Sequence, residues 1–142
     1  MKYLGIDFGT KKLGLANSDD DNRLAFPMMI MLNDKEIWDS LLEIILSYKV
    51  TNIVIGESLN GDGKPNPVAK LAQDFAMSLD ILLLKNNLDI KISFEKEWYS
   101  SMEARRVDGE RDVDDRAAAI ILQRYLDRKN GPIDHNDSDE EE

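Results

Sequence analysis

The chain opens on a strict alternation in which Leu4, Ile6 and Phe8 fall on one set of positions and Tyr3, Gly5 and Asp7 on the other. A period of two belongs to a β-strand with two distinct faces, so residues 3–8 predict a first strand. Gly9, Thr10, Lys11 and Lys12 then make a small polar turn, and 13–16 reads as the returning strand of a hairpin. After a turn at 19–22, the apolar run 24–32 predicts a third strand, with Pro27 marking an edge or a bulge. Met28, Met29 and Met31 read as core filling.

The period then lengthens. Asn33 and Glu36 have the spacing of a capping box, and Ile37, Leu41, Ile44 or Ile45, and Tyr48 recur as on an amphipathic helix. The β-branched run 51–55 predicts a strand covered on both faces that ends at Gly56 and Glu57. Residues 56–67 read as a long loop. Asn66 and Pro67 open a second helix with Val68, Leu71, Ala72, Phe75, Leu79 and Leu82 on its inner face, stopped by Asn86 and Asn87. Ile90, Ile92 and Phe94 alternate with Lys91, Ser93 and Glu95, which predicts a strand whose second face is wetter. Ser100 and Glu103 cap a short helix, a charged break covers 108–112, and a last helix from about Val113 buries Ala117, Ala118, Ile121, Leu122 and Tyr125.

This order predicts an α/β fold: a mixed five-stranded sheet, three antiparallel strands first and crossover strands after, with helices on both faces. Residues 1–130 form one domain. Residues 131–142 hold six of the 28 acids and form a disordered acidic tail. Without the tail, 22 acidic residues face 18 basic ones, so the net charge of −10 weakens a nucleic-acid partner without excluding it. The absence of cysteine removes disulfides and thiolate metal sites. No apolar run approaches a membrane span and the first strand begins at once, which predicts a soluble cytoplasmic protein.

The chemistry lies in the acids. Asp7, Glu57 and Glu97 fall at or just beyond predicted strand ends, on the edge where open α/β sheets bind ligands. Asp114 precedes Ala117, Ala118 and Ile121 by three, four and seven residues and so lies on the sheet-facing stripe of the last helix. Asp115 has a comparable relation to Ala119 and Leu122, so spacing leaves the two open. Carboxylates gathered on one edge repel one another unless a cation holds them. With no cysteine and His135 in the tail, oxygen donors remain, which suits Mg²⁺ or Mn²⁺. Such ions hydrolyse phosphodiesters with water as the nucleophile.

Four segments, GIDFGTKKLGLANSD at 5–19, IVIGESLNGDG at 53–63, EWYSSMEARR at 97–106 and VDDRAAAIILQRYLD at 113–127, together resemble the YqgF/RuvX family. These are ribonuclease H-like, Holliday-junction-resolvase-like proteins described as pre-16S rRNA nucleases. The resemblance implies an RNase H-like fold, a divalent-metal site, and maturation of the 5′ end of small-subunit ribosomal RNA, with RNA or branched DNA as substrate and ribosomal precursor particles as partners. Carried over, it makes Asp7, Glu97 and Asp114 the catalytic and metal-binding acids, and prefers Asp114 to Asp115. Glu57 and Ser58 replace an apolar residue and proline usual in the family, which makes Glu57 a candidate fourth ligand. Trp98 replaces an arginine, and the basic loop before the last helix is short. Lys11, Lys12, Asn60, Lys64, Arg105 and Arg111 are the candidate nucleic-acid contacts. A resolvase would act as a dimer, so a monomer or weak homodimer is expected. Two other classes compete: a non-catalytic RNA-binding module, and an ATPase, because GIDFGT also resembles the phosphate loop of actin-like proteins.

Overall fold

The computed structural model describes residues 1–59, 67–98 and 114–131. Within them the chain runs β1 (Tyr3–Phe8), β2 (Lys12–Ser18), β3 (Ala25–Leu32), α1 (Ile37–Ser47), β4 (Asn52–Leu59), α2 (Pro67–Lys85), β5 (Lys91–Trp98) and α3 (Asp115–Asn130). The five strands form one sheet in the order β3-β2-β1-β4-β5. β1 pairs antiparallel with β2, and β2 with β3, whereas β1, β4 and β5 run parallel. The expected mixed sheet with hairpins first is present. The expected short helix from Ser100, the break at 108–112 and the acidic tail lie outside the described residues.

Strand alternation sorts the core into two layers. Leu4, Ile6, Phe8, Leu13, Leu15, Ile53 and Ile55 face α1 and α2 and close over Leu41, Ile45, Phe75 and Leu79. Phe75 ties the layer together, its ring 5.2 Å from Phe8 and stacked 5.1 Å from Trp38. Tyr3, Ala16 and Val54 face the other way, onto Ala118, Ile121, Leu122 and Leu126 of α3. Each fully buried aliphatic side chain contributes about 1.5–3 kcal/mol, so either layer alone far outweighs a single surface contact.

Local expectations fail where tertiary contacts take over. Pro27 does mark both an edge strand and a bulge: Leu15 pairs with Met29 and Ala16 with Pro27, leaving Met28 extra. Met28 and Met31 pack on the core, but Met29 is 37% exposed because β3 is the sheet's edge. Leu71 is exposed as well, since α2 is rotated to bury Ala69, Ala72, Ala76 and Leu83. Strand β4 runs on through Gly56 and Glu57 to Leu59, paired with β5 along its length. On the face of β5 expected to be wetter, Lys91 is exposed and Ser93 half-buried, but Glu95 is buried and paired to Arg128 of α3, while Phe94 on the other face is exposed. Asn33 caps nothing. The N-cap of α1 is Glu36, without a side-chain cap bond, and Asp34 Oδ1 accepts from the Glu36 N–H.

Candidate active site

Asp7 is fully buried near the carboxyl end of β1, on the face that α3 covers. Its neighbour across the hairpin is Gly14. The lack of a side chain there decides the site, because a Cβ on Gly14 would lie 2.0 Å from the carbonyl oxygen of Asp114 and 2.4 Å from its carbonyl carbon. The backbone at the start of α3 therefore rests on Gly14, beside Asp7. Gly5, one pleat earlier on the same face, does the same for the next turns of the helix: its Cβ would meet Leu122 Cβ at 2.8 Å and the Ala118 carbonyl at 3.0 Å. A glycine inside a strand signals such a close approach of another backbone.

Asp114 is the N-cap of α3, extended at φ −153° and ψ 177°. Its Oδ1 accepts the Ala117 N–H at 2.7 Å, and its carbonyl accepts the Ala118 N–H at 3.2 Å. The cap fixes the carboxylate's orientation, and the unpaired N–H groups of the first turn favour negative charge close by. Asp115 is the first residue of the helix proper.

The turn after Asp7 is braced from β3. Asn33 Nδ2 donates to the Gly9 carbonyl at 2.8 Å, and the Asn33 N–H donates to the Lys11 carbonyl at 2.9 Å. Sequence reading assigned Asn33 to a helix cap and missed this role, since the partner lies across two strands. Lys11 and Lys12 stand exposed on this turn, at the same end of the sheet as Asp7.

The backbone of Glu97 lies in β5, paired with Ser58, and strand alternation places that position on the same face as Ser93 and Glu95. The Glu97 side chain lies outside what is described, as do Asn60, Lys64, Arg105 and Arg111. Glu57, paired with Lys96, shares the parity of Ile53 and Ile55, which face α1 and α2. The structure thus seats the backbone of Asp114 on Gly14, the strand neighbour of Asp7, and carries Glu57 to the opposite face. The period of two is the reason, because one step along a strand changes the side.

Among the described residues no group of three or more His, Cys, Asp or Glu side chains is placed to hold a metal ion. The described part of the site supplies two carboxylates, one buried and one fixed by a cap. Such hard oxygen donors fit Mg²⁺ or Mn²⁺ and suit softer metals poorly.

Residues 1–128 match the family model described as RuvX: Holliday junction resolvase. A protein of Maridesulfovibrio salexigens named "Putative pre-16S rRNA nuclease" is 39% identical over 139 residues, covering 90% of this chain and 99% of the relative. A protein of the same name from Psychrobacter sp. (strain PRwf-1) is 34% identical over 134 residues, covering 87% and 76%. Among solved structures, T. thermophilus RuvC in complex with Holliday junction substrate superposes with a TM-score of 0.51 at 14% identity, over 92% of this chain and 96% of that one. That likeness concerns the fold, which is RNase H-like.

Proposed function

The chain belongs to the RuvX family, and for this member we propose a divalent-metal-dependent nuclease that trims the 5′ end of pre-16S rRNA. It is a hydrolase of phosphodiester bonds, as the names of the family and its relatives state. The observation that carries the site is the seat of Asp114 on Gly14, directly beside Asp7.

The residues divide the work. Asp7 is held by a strand buried on both faces, so its carboxylate cannot swing away when substrate arrives. Asp114 is oriented by the Ala117 N–H. Glu97 is the third acid, its strand position lying on the same face of the sheet. A bound Mg²⁺ or Mn²⁺ supplies an activated water and neutralises charge on the leaving oxygen. Lys11 and Lys12, exposed on the turn after Asp7, receive backbone phosphates, and Asn60, Lys64, Arg105 and Arg111 complete the substrate path. Ribosomal precursor particles are the proposed setting, in the cytoplasm. Among the described residues no helix is long and apolar enough to cross a membrane.

A second reading uses the same acids on branched DNA, and the family's description as a resolvase favours it. The test is cleavage of a pre-16S rRNA leader and of a four-way DNA junction in Mn²⁺, with the parent protein and Asp7→Asn. Metal-dependent cutting of the RNA by the parent alone is expected. Preference for the junction moves the assignment to the resolvase. Equal activity of the two proteins, or none on either substrate, rejects the site.

A further inference from the structure

The edge strand β3 is protected unevenly. In its first half the Ala25 N–H donates to Gln123 Oε1 of α3 at 2.9 Å, and Pro27 with its bulge interrupts the edge. In its second half Ile30 and Leu32 stand 47% and 68% exposed, in a run, 24–32, that holds no charged residue. The register fixes where these two side chains point. Asp7 pairs with Gly14 and Gly14 with Ile30, so one row crosses β1, β2 and β3. Residues directly opposite one another share a face, and Gly14 faces α3, so Ile30 stands on the face that carries Asp7. Met31, between the two, packs into the opposite layer, as alternation requires. Two strand spacings put the backbone of Ile30 about 10 Å from that of Asp7. Leu32 pairs with Lys12, and both lie one pleat further out, toward the carboxyl end of β1. An exposed apolar ledge and an exposed lysine thus border the site on a single face.

Continuity with the site selects the occupant. The phosphates and sugars of a nucleic acid are polar, and only the faces of its bases are apolar. Inside a duplex those faces are stacked on one another, whereas an unpaired nucleotide frees one for contact with protein. Leucine and isoleucine are among the side chains that proteins set against unstacked bases. Lys12, opposite Leu32, is placed to meet the phosphate of the same nucleotide. A peptide added to the edge as a further strand is the competing occupant, but it would bond the main chain along the edge, whereas Ile30 and Leu32 stand up from the face of the sheet beside the lysine.

We infer that Ile30 and Leu32 form a base-contacting subsite, against which an unpaired nucleotide next to the scissile phosphate lays one face of its base while Lys12 holds its phosphate. The subsite depends on the nuclease reading and gives it a substrate class: phosphodiesters flanked by an unpaired nucleotide, in preference to those inside continuous duplex. Fluorescence anisotropy of the full chain with an RNA hairpin carrying one bulged nucleotide tests it, in Ca²⁺ to separate binding from turnover. The same hairpin with an abasic residue in the bulge keeps the phosphate and loses the base. The parent should bind the abasic RNA about three- to tenfold more weakly. Leu32→Ser and Ile30→Ser, each checked for folding by circular dichroism, should each reduce that preference to about twofold or less, and Leu32→Phe should keep it. Lys12→Gln should weaken binding of both RNAs by the same factor and lessen the salt dependence. A parent indifferent to the base, no binding of either RNA, or a preference unchanged in Leu32→Ser or in Ile30→Ser overturns the subsite. Base preference without Mn²⁺-dependent cleavage of the same hairpin rejects the nuclease reading and leaves the subsite standing.

Discussion

Gly14 lies so close beneath Asp114 that a single methyl group would stand 2.0 Å from the Asp114 carbonyl oxygen. Backbone, not a flexible side chain, is the obstacle, so the start of α3 must move to admit it. Gly14→Ala should therefore cost about 1–3 kcal/mol in chemical denaturation. It should also lower cleavage by about a hundredfold, since a shift of about an ångström in a catalytic carboxylate has that effect. Gly5→Ala is the control. Its clash lies with Leu122 and Ala118, farther along the helix, so it should lose similar stability and much less activity.

Asp114 both caps α3 and offers a carboxylate, and the two roles separate by substitution. Asparagine caps a helix as well as aspartate does, whereas alanine forfeits about 1 kcal/mol. Asp114→Asn should keep the parent's thermal midpoint and lose metal-dependent cleavage. Asp114→Ala should lose both. Full activity in Asp114→Asn would reduce the residue to a cap.

Removing the amide of Asn33 frees the turn that follows Asp7. Asn33→Ala gives up the bond to the Gly9 carbonyl, worth about 1 kcal/mol. Cleavage should fall but persist, because Asp7 itself stays in its strand. Denaturant titration and a cleavage rate on the same preparation check both parts.

Glu95 and Arg128 tie β5 to the far end of α3, with the glutamate buried, the arginine largely exposed, and the guanidinium 5.4 Å from the Tyr125 ring centre. Truncating the arginine leaves a buried carboxylate without its partner. Arg128→Ala should destabilise by about 1–2 kcal/mol, between the surface and fully buried cases. Glu95→Gln should cost less, and a double-mutant cycle measures the coupling.

Asp19 governs part of the acid limb. Backbone N–H groups of Arg23 and then Leu24 bind its carboxylate and hold its pKa below the ordinary 3.8. A group depressed in the folded state adds stability that is complete above 3.8 and lost as pH falls through the folded value. Asp19→Asn should therefore lower the thermal midpoint near neutrality and narrow its gap to the parent at strongly acid pH. A carboxyl shift titrating above 3.8 by NMR would contradict this.

How far the chain could be read depended on the range of the interactions. Tyr3, Gly5 and Asp7 share a face because strand geometry is local, and the stripe of α3 follows from helical spacing in the same way. Phe94, Glu95 and Leu71 were misplaced because burial of one face depends on what another element brings to it, which periodicity does not report. Asn33 looked like a cap because its nearest polar neighbours were local, while its real partner, Gly9, lies in the turn between β1 and β2.

The order of elements, the two-faced first strand and the acids worth suspecting were set by the amino-acid sequence alone, since alternation, helical spacing and turn chemistry act over a few residues. Which acids meet was decided only when α3 settled onto the sheet. Gly5 on β1 and Gly14 on β2 let the helix approach the sheet, which seated the backbone of Asp114 on the strand neighbour of Asp7, while the pleat of β4 carried Glu57 to the other side. That outcome is steric, and sterics between distant segments exist only in the folded chain.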